Sequence, residues 1–463
     1  MREILENLFK FDRQLLGDGY DNALQYIKFL LTHLDIIEIP SGTKVGGWTV
    51  PDEWILKDGW VKFNGEKIID YQKNPLSVVV GSLNISRIVN LEELKAHLHY
   101  SEEMPNSTPF TYKFYEKNWG FSVPYNQVKE RNEEAIAGVE LEGGKPFVPK
   151  TKDKLKEGDY EVFINSEYKP GKMKIGVHTI KGKSDREILL FAHLDHAYQA
   201  NDNLSAVVCL IDLANKIKAE HTVKIVFCPE TIGSIAYAHT QDLSKVDFMI
   251  AVDICGNTNS ILLQKSFNPE DKINRVAHLA SHSLLQDIRK GVFRSTIGSD
   301  EYVFNDPDVG IPGIMLSTWP YREYHTSEDT PEKIDYKSID NTGKMILKII
   351  EIWENDFIPK REVKGPLMRS RYGVQSSNKQ TNLMWDYFWY SIDGKRSLAE
   401  LCCLHGLVWE STLKVILELE NNGELSRVGP RKVGKQKTSK KKHKGFPRRT
   451  NVHGKHKKVL KGI

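Results

Sequence analysis

The segment ILLFAHLDHAYQANDN, residues 188–203, joins five consecutive apolar residues to a loop holding two histidines, two aspartates and two asparagines. A short unbroken apolar run reads as a strand buried on both faces, as in parallel sheets covered by crossover helices. Outward from it, apolar strand-like runs recur at 223–228, 248–253 and 313–317, and amphipathic helical patterns at 205–219, 274–290 and 338–353. Strand and helix alternating at this rhythm predict an α/β layer fold with a mainly parallel central sheet. Ligands of such sheets gather at the carboxyl ends of the strands.

The chemistry-bearing side chains fall at those ends. His193, Asp195 and His196 follow the first run, and Asp202 precedes the helix that starts near Ser205. Glu230 follows the run 223–228, Asp253 closes the run 248–253, and His325 follows 313–317. In a parallel sheet these residues converge on one rim. A few imidazole and carboxylate ligands, an open position for water and a further carboxylate to take a proton are what a hydrolytic zinc site needs. Asn201 and Asn203 are suited to fixing the loop through side-chain hydrogen bonds. His278 and His282, four apart on a helix, lack the intervening glutamate of HExxH and read as surface or packing residues. Tyr324, beside His325, either lines the pocket or covers it. No P-loop, dinucleotide-binding glycine pattern or serine-centred elbow is present in the sequence.

Residues 2–36 read as two helices, and 37–125 as short β-type runs in which Trp48, Trp54, Trp60 and Trp119 serve as apolar anchors. A Gly-, Pro- and Ser-rich linker spans 365–378. Helical patterns at 382–389, 398–406 and 411–421 follow, with Gly406 at a turn and a small wing expected after Gly423, the grammar of a winged helix-turn-helix. Its last helix carries Glu410, Glu418 and Glu420, which repel phosphate, so protein contact or self-association is expected rather than DNA reading. Fifteen of the 65 Lys and Arg residues, and none of the 61 Asp and Glu, lie in 427–463. That basic tail is expected to be disordered and attractive to polyanions without specificity, above a body of acidic balance. Five scattered cysteines, no signal peptide and no bilayer-length apolar run lead to the expectation of a cytoplasmic protein with no membrane partner.

The pieces HLDH…ANDNLSA, CPETIGSIAYA, AVDICG, GSDEYVF, GIPGIML and YHTSEDTPEKID, in this order, resemble the zinc aminopeptidase clan of the M28 type. The chain more closely resembles that clan's uncharacterised branch of polysaccharide-biosynthesis proteins with an aminopeptidase-like domain, which also carries a module like GGWTVPDEW…FYEKNWGFSVP and a C-terminal winged helix. The resemblance implies a three-layer, phosphorylase/hydrolase-like domain from residues 1–40 and 126–362, an inserted β-rich domain at 41–125 and a winged helix at 379–426. It implies one or two zinc ions, with His193 and Asp253 on one metal, Asp202 central or shared, and His325 on the far side. Asp195 then orients His193, and Glu230 takes the place of the general base. Two features depart from the clan. Thr231 stands where a second acid is usual, and His196, which has no counterpart, either replaces His193 as ligand or meets substrate. Ala206 replaces a usual glycine, and Asp300 and Glu301 match a loop on the substrate side.

Three functions of different class are open. The first is zinc-dependent hydrolysis of a peptide or aminoacyl amide, including an aminoacyl-sugar linked to surface polysaccharide. The second is an inactive metal-bearing scaffold that recruits partners through the winged helix, and Thr231 is the feature that favours it. The third is a nucleic-acid-associated regulator driven by the basic tail.

Overall fold

The computed structural model describes residues 1–131, 151–284 and 287–429. Along the chain come α1 (Arg2–Phe9), α2 (Asp18–Leu30), β1 (Leu34–Pro40), β2 (Glu53–Phe63), β3 (Glu66–Asp70), β4 (Ile85–Asn90), β5 (Asp159–Lys169) and β6 (Lys172–Ile180). Next are β7 (Glu187–His193), α3 (Ser205–Ala214), β8 (Thr222–Cys228), α4 (Ile232–Thr240), β9 (Val246–Val252), β10 (Leu262–Gln264), α5 (Lys272–Ser283), β11 (Arg289–Gly291) and β12 (Gly313–Ser317). Finally come α6 (Tyr336–Asn355), β13 (Ile358–Arg361), α7 (Lys379–Ser391), α8 (Leu398–His405), α9 (Trp409–Asn421) and β14 (Leu425–Val428).

Eight strands form the central sheet in the order β1-β6-β8-β7-β9-β12-β10-β11. Its middle, β8-β7-β9-β12, is parallel throughout, as the apolar runs predict. Antiparallel pairings join β1 to β6, β6 to β8 and β10 to β12, so the sheet is mixed at its flanks. The run in β7 is unbroken because both of its faces are covered. Ile188 and Leu190 enter the core beneath α3, α5 and α6, while Leu189 and Phe191 pack on the other side with Ile232, Ala236 and Tyr237 of α4. Each such large apolar side chain contributes roughly 1.5–3 kcal/mol through burial. Helix, sheet and helix thus make the expected three layers.

Three expected boundaries move. The helical reading of 2–36 ends at Leu30, because Leu34–Pro40 pairs along β6 as an edge strand. The helix expected over 274–290 stops at Ser283, and Arg289–Gly291 instead pairs with β10. The β-rich unit takes its central strand from well beyond residue 125, since β5 lies between β2 and β4 in a four-stranded antiparallel sheet ordered β3-β2-β5-β4. Trp54 and Trp119 sit in the core of this unit, whereas Trp48 is partly exposed.

Helices α7, α8 and α9 form at the expected places, α8 behind a capping box of Ser397 and Glu400 and ending at left-handed Gly406. Trp385, Phe388, Trp389 and Trp409 pack into the same core as the sheet and α6. The strand after Gly423 pairs antiparallel with β13, which precedes these helices, and so closes the unit onto the end of α6. Residues 430–463 of the basic tail lie outside the described residues. Among the described residues, no helix is long and apolar enough to cross a membrane.

Candidate metal centre

His193 is the last residue of β7, Glu230 lies two past β8, Asp253 one past β9, and His325 in the loop after β12. Asp202 occupies an irregular turn, Ala200–Leu204, that leaves helical geometry at Asp202 and Asn203 and runs into α3. The sheet rim brings all of these together. His193 Nε2 is 3.1 Å from Asp202 Oδ1 and 3.5 Å from Asp253 Oδ1. His325 Nε2 is 2.8 Å from Asp202 Oδ2, and His196 reaches Asp202 Oδ2 with Nδ1 at 3.1 Å and Glu230 Oε2 with Nε2 at 3.5 Å.

Two sets of donors converge within 4.8 Å, His193-His196-Asp202 and His193-Glu230-Asp253. His193 and His196 both lie at this centre. Three of the atoms at the centre, His193 Nε2, Asp253 Oδ1 and His325 Nε2, are buried and lie 2.8–3.5 Å from an ionisable partner without the angles of a proper hydrogen bond. Buried polar atoms left without a hydrogen bond are costly and rare. Two ligands on a tetrahedral ion at about 2.0–2.2 Å stand roughly 3.3–3.6 Å apart, close to the spacings found here. Nitrogen and carboxylate donors so spaced around His193 fit a divalent cation.

Electrostatics agree. Burial opposes charge on His193, yet its contacts with Asp195, Asp202 and Asp253 outweigh this and raise the imidazole well above its usual value. His196 is raised to about 9, its burial overcome by Asp202 and Asp195. Burial alone would raise Asp202, but His196, His193 and His325 hold it well below the usual range. Without a cation, the carboxylates draw protons onto the imidazoles; a cation and those protons compete for the same lone pairs. Glu230 behaves differently. Burial lifts its carboxyl to about 8 despite His193 and His196, the condition of a group that exchanges protons near neutrality.

Supports behind the donors are hydrogen-bonded. Asp195 accepts from His193 Nδ1 at 3.1 Å and from the Glu230 backbone N–H at 2.9 Å, orienting one donor and placing the other. Asn203 donates to the Val252 carbonyl and accepts from Ile254 N, while Asn201 Oδ1 accepts from Gly256 N at 2.7 Å, so both asparagines tie the Asp202 turn to the end of β9. A Cβ at Gly256 would stand 2.9 Å from Asn201 Oδ1, which requires glycine at this crossing. His196, Thr231, Ile254 and His325 all have left-handed backbone, with φ from 47° to 69°. Non-glycine residues hold that conformation only where their surroundings impose it.

Asp300 accepts from Thr231 N at 2.9 Å and Ser234 Oγ at 2.7 Å, fixing the turn that carries Glu230. Glu301 accepts from Ser299 N. Tyr324 stacks on His325 with ring centroids 3.8 Å apart. His278 and His282 stand outside this rim beside Lys290, whose Nζ lies 3.0 and 3.2 Å from their ring nitrogens, an environment that disfavours a metal.

Three contributions had no signal in the sequence pattern. Buried Arg13, between α1 and α2, donates to the carbonyls of Leu8, Leu194, His196 and Gln199 at 2.7–2.9 Å. Asp329 accepts from the backbone N–H of Asn201 and Asp202 and from the Tyr321 hydroxyl. Phe110 and Tyr112, from the β-rich unit, lie over His196 and His325 with ring centroids 5.3–5.8 Å apart.

Among known proteins, residues 2–356 match the family described as a domain of unknown function, DUF4910. A Clostridium acetobutylicum protein, provisionally named for polysaccharide biosynthesis with an aminopeptidase-like domain, is 29% identical over 366 residues, covering 76% of this chain and 77% of that protein. A crystal structure from Clostridium acetobutylicum, provisionally named a peptidase, is 26% identical with a TM-score of 0.75 over 92% of this chain and 96% of its own. A zinc aminopeptidase from Bacillus subtilis shares the fold at 12% identity, with a TM-score of 0.54 over 75% of this chain and 93% of that one. The α/β domain is aminopeptidase-like in fold.

Proposed function

This chain belongs to the DUF4910 family, a domain of unknown function, and we propose that it is a zinc-dependent hydrolase of peptide or aminoacyl amide bonds. The observation that carries this reading is the convergence of two donor sets on shared His193, His193-His196-Asp202 and His193-Glu230-Asp253, with His325 against Asp202 and the carboxyl of Glu230 raised. His193, Asp202, Asp253 and His325 hold one or two zinc ions, and His196 adds a further donor. When bound, zinc supplies a Lewis acid for an amide carbonyl and acidifies water.

The protein's own groups do the rest. Glu230 takes a proton from the attacking water at Oε2 and returns it to the leaving amine. Asp195 holds the Glu230 backbone and the His193 ring in register for this transfer. Tyr324, stacked on His325, lines the site on the substrate side. Asp300 and Glu301 act behind it by fixing the turns at Thr231 and Ser299. The name of the Clostridium acetobutylicum relative supports, by analogy alone, an amide between an amino acid and a sugar. The acidic face of α9 favours protein contact or self-association for the C-terminal unit, and the basic tail suits polyanion contact.

The test is turnover of leucine 4-nitroanilide and of aminoacyl-sugar amides by the full-length protein after zinc loading. Hydrolysis that disappears with a chelator and returns with zinc is expected. The second reading, an inactive metal-bearing scaffold, is favoured by Thr231 in place of a second acid. Zinc bound without turnover of any of these amides supports it instead.

A further inference from the structure

We propose that Tyr112, supplied by the β-rich unit, is a substrate-contacting residue of this site, its hydroxyl donating a hydrogen bond to the bound substrate and its ring forming one wall of the mouth. The proposal rests on the hydrolase reading above and adds to it a group from outside the α/β domain.

The β-rich unit is laced to the His325 loop by two backbone–backbone bonds and one to the Ser327 hydroxyl. Thr108 N donates to Ser327 Oγ at 3.0 Å, Ser327 N donates to the Thr108 carbonyl at 2.8 Å, and Phe110 N donates to the His325 carbonyl at 2.8 Å. Pro109 and Thr326 face each other as an antiparallel bridge. None of these contacts uses the Tyr112 side chain. Two residues beyond Phe110, the Tyr112 ring stands 5.8 Å from the rings of both His196 and His325, and it stacks on Phe114 at 5.4 Å.

Phe110 and Tyr112 differ in a way that separates packing from function. Phe110 is 5% exposed and packs on both histidines, whereas Tyr112, beside the same two rings, is 40% exposed. Among the described residues the Tyr112 hydroxyl has no hydrogen-bond partner. A tyrosine retained only to cover the histidines would need no hydroxyl, and phenylalanine would serve; a phenol at the lip of a polar site, with its donor unspent, is placed to meet a ligand.

Tyr112→Phe and Tyr112→Ala, made in the full-length protein and loaded with zinc, test this. Three quantities are measured: zinc content by elemental analysis, the Kd of leucine hydroxamate by calorimetry, and kcat and KM for leucine 4-nitroanilide. Both variants are expected to keep wild-type zinc content and melting temperature. Tyr112→Phe weakens hydroxamate binding by about 3- to 10-fold, the loss of one neutral hydrogen bond, with KM rising in step and the pH profile unchanged; Tyr112→Ala weakens it further. Zinc-loaded variants that bind hydroxamate and substrate as the wild type does overturn the role of Tyr112 and leave the hydrolase reading standing. Wild-type protein that takes up no zinc overturns that reading, and this assignment with it.

Discussion

Glu230→Gln is expected to lower turnover by about 10²–10⁴-fold, the usual contribution of a positioned general base, while zinc content and melting temperature stay at wild-type values. Glutamine matches the shape of the residue and keeps its backbone N–H on Asp195, but its amide accepts no proton. Burial lifts the Glu230 carboxyl to about 8, and a cation alongside favours its ionised form and brings that value down toward the working pH. Steady-state kinetics and elemental analysis on one preparation separate the two roles open to this residue. Loss of turnover with zinc retained makes it the base. Loss of zinc makes it a ligand, and turnover left intact removes it from the reaction.

Arg13→Met is expected to destabilise the fold by about 3 kcal/mol or more and to weaken zinc binding by about 10- to 100-fold. The guanidinium serves carbonyls on both sides of His196, at Leu194, His196 and Gln199, and ties them to Leu8 of α1. Methionine fills much of the volume yet leaves those buried acceptors unpaired, each costing about 1–3 kcal/mol. The charge matters as well. Burial lowers the Arg13 pKa to about 10, which still leaves it cationic at neutral pH, opposite Asp195, Asp12 and Asp329. Because the loop it braces carries Asp195 and His196, its loss loosens their side chains as well, as changes behind metal ligands do. Urea denaturation and zinc titration check the two effects, and a variant as stable as the wild type contradicts this account of the loop.

The central strands were legible because β7, β8, β9 and β12 are largely apolar on both faces, a pattern available to a buried parallel strand. The rim residues were legible for the same reason, since a parallel sheet sends every carboxyl end to one side. Arg13 was not, because one arginine between two helices looks like any surface arginine until the chain closes over it. Phe110 and Tyr112 were hidden because their unit meets the site through backbone pairing at 108–110 and 325–327, which leaves no mark in side-chain pattern. The misplaced boundary at 125 has a related cause. The strand that completes the β-rich sheet, β5, lies next in sequence to β6 of the central sheet, and alternating apolar residues in both give no sign of which sheet each joins.

The claim beneath all of this is that the sheet rim gathers its histidines and carboxylates around a zinc ion. Calorimetric zinc titration of untagged full-length protein, beside an Asp202→Ala variant of unchanged circular dichroism, tests it most directly. At least one equivalent of zinc binding to the wild type, and affinity at least 100-fold weaker in the variant, is the predicted result. Zinc that fails to bind the wild type, or that binds equally well without the Asp202 carboxylate, contradicts it.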